Sequence, residues 1–225
     1  EASDAALDDL RSRLRKTRWP DAEPVDDWSQ GTPLAYTQEV CRYWADTYDW
    51  RAVEAKMNAY DHYKVSIDGI PIHFQRVPGK GPNPMPLVLT HGWPWTFWDL
   101  HQVVDALADP GAHGGDPADA FEVIVPSLPG YGLSVPLTTT GVDVARIAQL
   151  WVKLMTEVLG FERFGAEGGD WGAIITGWLG HAHPESLIGV YLTLPVIPGM
   201  FGKRAPKPSD FAPDEQWMLT RADEA

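Results

Sequence analysis

Cysteine is nearly absent from this sequence: Cys41 stands alone, so no disulfide can form within the chain, and cysteine usage leaves its redox compartment open. Among helical-looking neighbours, Cys41 is expected to be a buried structural thiol. Basic residues are scarce too, with 18 Lys and Arg against 31 Asp and Glu and a formal net charge of -13. Such a surface repels phosphate backbones and anionic lipid, which argues against nucleic acid and membrane as partners. No apolar run approaches the roughly 20 residues that span a bilayer. The sequence opens on Glu1 and not on Met, which leaves a removed leader open; without one, the expected location is the cytoplasm. Internal repeats and low-complexity tracts are missing as well. Tryptophan, by contrast, is plentiful: 11 residues in a chain of 225, which is long enough to bury a full core.

Three segments differ in rhythm. Residues 1–62 read as helices without a strand. Leu7, Leu10 and Leu14 recur at helical spacing, and Trp19-Pro20 should stop that helix. A second helix is expected from Leu34 to Asp46, with Tyr36, Val40, Tyr43 and Trp44 on one side, and a third from Trp50 to about Ala59. At Tyr63 the period changes to two: Tyr63–Ile67 and Ile70–Phe74 alternate around Asp68-Gly69, a strong hairpin signal because both central residues of a type I′ turn need positive φ. Residues 63–197 continue as strand, loop and helix. Strands are expected at Leu87–Thr90, Phe121–Val125, Phe164–Glu167 and Leu187–Leu194. Helices are expected at Phe97–Ala108, from Val144 to a stop at Gly160, and at Ala173–His181. Apolar runs alternating with helices predict an α/β fold, a mostly parallel sheet with helices on both faces. From residue 198 to 225 the rhythm is lost, and a different structural unit should begin.

Open parallel sheets carry their sites at the carboxyl ends of strands, which directs attention to three loops. Gly168-Gly169-Asp170-Trp171-Gly172 places a polar residue among small neighbours between a strand and a helix, the pattern of a nucleophile elbow. A carboxylate there is a poor acyl-transfer nucleophile, but it can open a strained ring or displace a leaving group at saturated carbon, forming an ester. The bland alternative is an Asp that caps a helix from a glycine-rich turn. His91-Gly92-Trp93-Pro94, after the first parallel strand, has the form of an oxyanion loop, whose backbone N–H would pair with the N–H following the nucleophile. Those donors would belong to Trp93 and Trp171. Pro129-Gly130-Tyr131-Gly132 is the third loop, and it serves equally well as a plain chain reversal with Tyr131 packed.

Together these three motifs resemble the epoxide hydrolases of the microsomal and juvenile-hormone type. The N-terminal stretch resembles them too, through Arg18-Trp19-Pro20, Asp27-Trp28-Ser29-Gln30-Gly31, Tyr43-Trp44 and Asp49-Trp50-Arg51. The resemblance covers the chain to about residue 200. It implies an α/β-hydrolase fold preceded by a helical segment that wraps the core, with a cap region beginning near residue 198. It also implies a two-step reaction. Asp170 would attack an epoxide carbon to form an ester, and a water activated by a His with a supporting acid would hydrolyse that ester to a vicinal diol. Trp93 and Trp171 amides would hold the oxyanion. His91, Pro94, Trp95 and Tyr131 are expected around the substrate, His91 also as a support of the oxyanion loop. The aromatic loops suggest a small apolar or aromatic epoxide, with no metal and no organic cofactor.

Two departures qualify the expectation. Trp95 stands where the family usually carries Gly. The catalytic His, its acid and the cap tyrosines follow much later in the family than Ala225, so the 225 residues alone are expected to lack ester hydrolysis. His181 and His183 fall near the end of the helix that Asp170 begins and should point away from it. His62, His73, His101 and His113 carry no motif, and surface or packing roles are expected. An exposed sheet edge would invite aggregation or a homodimer. Two other readings remain: a haloalkane dehalogenase, which also uses an elbow Asp, and a non-catalytic binding module of hydrolase-like fold.

Overall fold

A computed structural model describes residues 1–194 together with 212 and 213. The expected cap region, 198–225, lies outside the described residues apart from those two. The chain forms two compact units, Glu1–Ala59 and a second beginning at Tyr60.

The first unit holds α1 (Asp4–Arg15), α2 (Leu34–Asp46) and α3 (Trp50–Met57). The Ser3 side chain caps α1 by accepting the Ala6 N–H. α1 ends before Trp19-Pro20, because the Thr17 hydroxyl already donates to the Leu14 carbonyl at 2.9 Å. Arg15 reaches Asp46 at 2.7 Å. Glu54 accepts from the Ala2 N–H, Trp50 Nε1 and Arg51; the Ala2 N–H above all, then the Arg51 guanidinium, holds its carboxyl down at about 2. Tyr36, Val40, Tyr43 and Trp44 fall on one side of α2, and all four are exposed while Ala45 is buried. One expectation fails here: Cys41 is only half-buried, beside Leu14, Arg15, Trp19 and Gln38.

The second unit is a six-stranded sheet in the order β1-β2-β4-β3-β5-β6. β1 (Asp61–Ile67) and β2 (Ile70–Val77) form the expected hairpin, with φ of 52° at Asp68 and 80° at Gly69. The strand signal begins two residues before Tyr63. β3 (Met85–Thr90), β4 (Phe121–Pro126), β5 (Phe164–Gly168) and β6 (Leu187–Leu192) run parallel. Where one helix was expected from Phe97 to Ala108, a 3-10 turn at Phe97–Leu100 precedes a short α4, Val104–Ala108. α5 (Val144–Lys153) passes into a π-helical turn at Leu154–Val158 before Gly160, and α6 is Trp171–Ala182.

Strand periodicity sorts the sheet into two faces. Val88, Ile124 and Ala166 share register and pack in the main core with Trp151, Leu154, Ile175 and Leu179 from the α5–α6 side. Leu87, Leu89, Gly165 and Glu167 point the other way, into an apolar groove of about 570 Å³ that Leu107 of α4 also borders. Among the described residues β6 is an edge strand, and its Ile188, Val190 and Tyr191 are exposed. Among the described residues no helix is long and apolar enough to cross a membrane.

Candidate active site

β3 leads to β4 on one side, β5 to β6 on the other, and β3 and β5 are neighbours. This is the topological switch point, where a crevice opens beyond the strands' carboxyl ends. The loops leaving β3 and β5 carry His91–Pro94 and Gly169–Trp171.

Asp170 sits at φ 50° and ψ −123°, a conformation sparsely populated for a residue with a side chain and one that concentrates at functional positions. Close packing by glycine makes it attainable. A Cβ on Gly172 would lie 2.0 Å from the Thr90 carbonyl oxygen, and one on Gly168 would lie 2.2 Å from the Gly172 oxygen. A Cβ on Gly92 would lie 2.6 Å from Asp170 Oδ1, so the bare Gly92 backbone admits the carboxylate. The Trp93 N–H donates to Asp170 Oδ1 at 2.8 Å, which brings together two of the expected residues. Asp170 Oδ2 accepts no hydrogen bond among the described residues. Trp171 opens α6; its N–H has no intrahelical acceptor and is available at the elbow.

The expected pocket residues separate. Trp93 and Trp95 are exposed, as is Pro94. Tyr131 lines a cleft of about 350 Å³ with Leu128, Val142, Ile147, Trp171 and Ile175, whereas His91, Pro94 and Trp95 are not among its walls. His91 is 2% exposed, and burial pushes its pKa down. Its Nδ1 is 2.9 Å from the Gly92 oxygen, Nε2 accepts the Leu128 N–H at 3.0 Å, and its ring meets Tyr131 edge-on. These contacts hold the loop. His181 lies in the last turn of α6, roughly 15 Å along the helix from Trp171 at 1.5 Å per residue.

Three supports escaped sequence reasoning. Trp151, fully buried, donates its indole N–H to Thr90 Oγ1 at 3.1 Å, tying α5 to the residue before the oxyanion loop. Thr193 N–H donates to the Gly168 carbonyl at 3.2 Å. His73 is buried, its Nδ1 2.9 Å from Ser127 Oγ and its Nε2 2.9 Å from His62 Nδ1; burial first, then His62, pushes its pKa down to about 4. His73 thereby anchors the start of the Tyr131 loop, a packing role as expected. No sequence signal marks these supports, since each partner lies on a different element. Among the described residues no group of His, Cys, Asp and Glu could hold a metal ion.

Residues 85–223 match the family model for the alpha/beta hydrolase fold, and residues 1–100 match that for the epoxide hydrolase N terminus. The chain belongs to the alpha/beta hydrolase fold family. Relatives of the chain include epoxide hydrolases. A putative epoxide hydrolase of Stigmatella aurantiaca is 45% identical over 97% of this chain and 48% of its own length. Epoxide hydrolase 1 of Sus scrofa is 34% identical over 88% of this chain and 44% of its own. The crystal structure of juvenile hormone epoxide hydrolase from Bombyx mori superposes with a TM-score of 0.75 at 30% identity, covering 86% of this chain and 51% of that one. The chain thus spans about half the length of the curated relatives it matches.

Proposed function

We propose that this chain carries the nucleophilic half of an epoxide hydrolase site. The observation that carries the reading is the Trp93 N–H bonded to Oδ1 of an elbow carboxylate. Because Oδ1 is engaged, Oδ2 attacks: it bonds to an epoxide carbon, that carbon's ring C–O bond breaks, and the freed alkoxide takes a proton from solvent water. Attack of water on Cγ of the resulting ester would then place negative charge on Oδ1, at which the Trp93 N–H is aimed, with the Trp171 amide as the proposed second donor. The cleft between Tyr131 and Trp171, with its Val142, Ile147 and Ile175 walls, suits a small apolar or aromatic substituent. The match to the epoxide hydrolase N terminus favours this reading over a haloalkane dehalogenase.

The test is intact-protein mass spectrometry after incubation with a reactive aryl epoxide. A single adduct on the unmutated chain and none on Asp170→Asn is expected; equal labelling of both proteins would defeat the reading. A homodimer through the exposed β6 edge also belongs to this proposal. The chain at micromolar concentration should elute larger than a monomer in size-exclusion chromatography with light scattering, and Tyr191→Lys should shift it towards the monomer. A monodisperse monomer of the unmutated chain would remove the dimer.

A further inference from the structure

His73 of β2 ties down both ends of the Tyr131 loop. Its carbonyl accepts the Ser127 N–H at 2.9 Å, its N–H donates to Ser134 Oγ at 2.8 Å, and its ring Nδ1 lies 2.9 Å from Ser127 Oγ. Ser134 Oγ in turn donates to the Ser127 carbonyl at 2.8 Å. The other ring nitrogen, Nε2, lies 2.9 Å from Nδ1 of His62 on β1, with the two rings 18° from coplanar. Only one of those facing nitrogens can carry a proton in such a bond. His73, Ser127 and Ser134 are buried, and His62 is half-buried.

Two proton arrangements satisfy these distances. In the first, the Ser127 hydroxyl donates to His73 Nδ1, and His73 Nε2–H donates to a bare His62 Nδ1. In the second, His62 Nδ1–H donates to His73 Nε2, and His73 Nδ1–H donates to Ser127 Oγ. Among the described residues that oxygen has no other hydrogen-bond partner, so the second arrangement orphans the Ser127 proton in the interior. Neutral His62 therefore favours the first. Protonated His62 carries hydrogen on both nitrogens and permits only the second. Burial holds His73 itself neutral down to about pH 4, so the proton taken up stays on His62. Facing the pair are Lys64 of β1, whose ammonium acts on His73, Gln75 opposite His62 on β2, Phe97 edge-on to both rings, and the two serines.

We propose that His62 is a proton-operated latch on the Tyr131 loop: neutral, it lets Ser127 donate to His73 and keeps the loop tied; protonated, it reverses the relay, orphans the Ser127 hydroxyl and loosens the loop. Histidine ordinarily changes charge between about pH 5 and 8, so the cleft between Tyr131 and Trp171 becomes acid-sensitive in that range. The effect on the site rests on the reading of that cleft as the substrate pocket and of Asp170 as nucleophile, whereas the latch is measured without either.

Nitrogen-15 NMR of the unmutated chain reads the relay directly. The His73 proton should sit on Nε2 at about pH 8 and move to Nδ1 as His62 ionises on the way to about pH 5. A His73 tautomer that stays fixed, or a His62 that does not ionise over that range, overturns the inference. Hydrogen exchange of the Gly130, Tyr131 and Ser134 amides reads the loop, with His62→Gln as the reference at each pH. Gln accepts from His73 Nε2–H whatever the pH. The protection of the unmutated chain relative to His62→Gln should therefore fall about tenfold over the range, the scale of one orphaned buried hydroxyl. A constant ratio overturns the latch. The rate of aryl-epoxide labelling, taken as the same ratio, should fall several-fold in parallel. A level labelling ratio beside a working latch overturns the reading of the cleft, and no labelling at any pH overturns the nucleophile; the His73 tautomer and the exchange ratio decide for or against His62 in both cases.

Discussion

Gly172→Ala is expected to cost more than about 4 kcal/mol of folding stability, enough to leave little native chain. The new Cβ would meet the Thr90 carbonyl oxygen at 2.0 Å and the His91 oxygen at 3.1 Å. Both are backbone atoms, so neither can swing aside as a side-chain tip would. Relief would require α6 to lift off the end of β3, which would also separate Trp171 from Trp93. Gly177, in the same helix, has nothing within 4 Å of its added Cβ. Gly177→Ala should therefore add about 0.5–1 kcal/mol through helix propensity. Guanidinium denaturation of the three proteins checks the pair. Matching midpoints for Gly172→Ala and the unmutated chain would show that the close approach at the elbow is not what the glycine is for.

Glu167→Gln is expected to raise stability by about 2 kcal/mol at pH 8 and to leave it unchanged at pH 4. Glu167 points from β5 into the apolar groove, and burial pushes its pKa from 4.5 up to about 7. The folded state therefore binds more protons than the unfolded chain between pH 4.5 and about 7. Stability falls as pH rises through that window and stays low above it. At 1.36 kcal/mol per pH unit the full penalty would be roughly 3 kcal/mol, reduced here because the groove opens to water. Gln mimics the protonated acid and removes the penalty. His73 acts in the opposite sense. Its pKa is lowered from 6.5 to about 4, so the stability it contributes is complete above 6.5 and is lost as pH falls towards 4. In the unmutated chain the two slopes oppose each other over pH 4.5–6.5. In Glu167→Gln the slope of His73 should emerge, joined by that of His91, whose pKa burial also lowers, with stability rising from pH 4 to 6.5 and then level. A denaturation series over that range reads both effects. A variant that parallels the unmutated chain at every pH would place Glu167 in a water-like setting.

The sheet was legible because its strands are apolar runs too short for helices, bounded by Gly, Pro and Asp and alternating with helical stretches. The elbow was legible for a similar local reason. Gly168, Gly169 and Gly172 around one polar residue describe a turn tight enough to need them, and Gly92 before Trp93 describes the other half. The supports were not legible, because they depend on which elements become neighbours. The role of Trp151 depends on Thr90, 61 residues away, and that of His73 on Ser127, 54 residues away; His91 was expected to support its loop, but not through Leu128, 37 residues away. The aromatic face of α2 was legible as a stripe, but periodicity does not say whether anything covers it, and its four side chains are exposed. The break of the Phe97–Ala108 segment at His101–Val103 carries no Gly or Pro and so left no local mark.

The contact that defines the site joins Trp93 to Asp170 across 77 residues of sequence. Between them the chain must build β4, wrap α5 over the sheet and return to lay β5 against β3. No hairpin or single helix turn can bring the two loops together early. Closing so long a loop must be compensated by the β3–β5 pairing itself, and such non-local pairing forms slowly. During synthesis or refolding, the carboxylate and its amide donor therefore meet only after the chain has committed to the parallel layer. A partly folded chain with only its helices and the β1–β2 hairpin would not yet hold the Trp93–Asp170 contact.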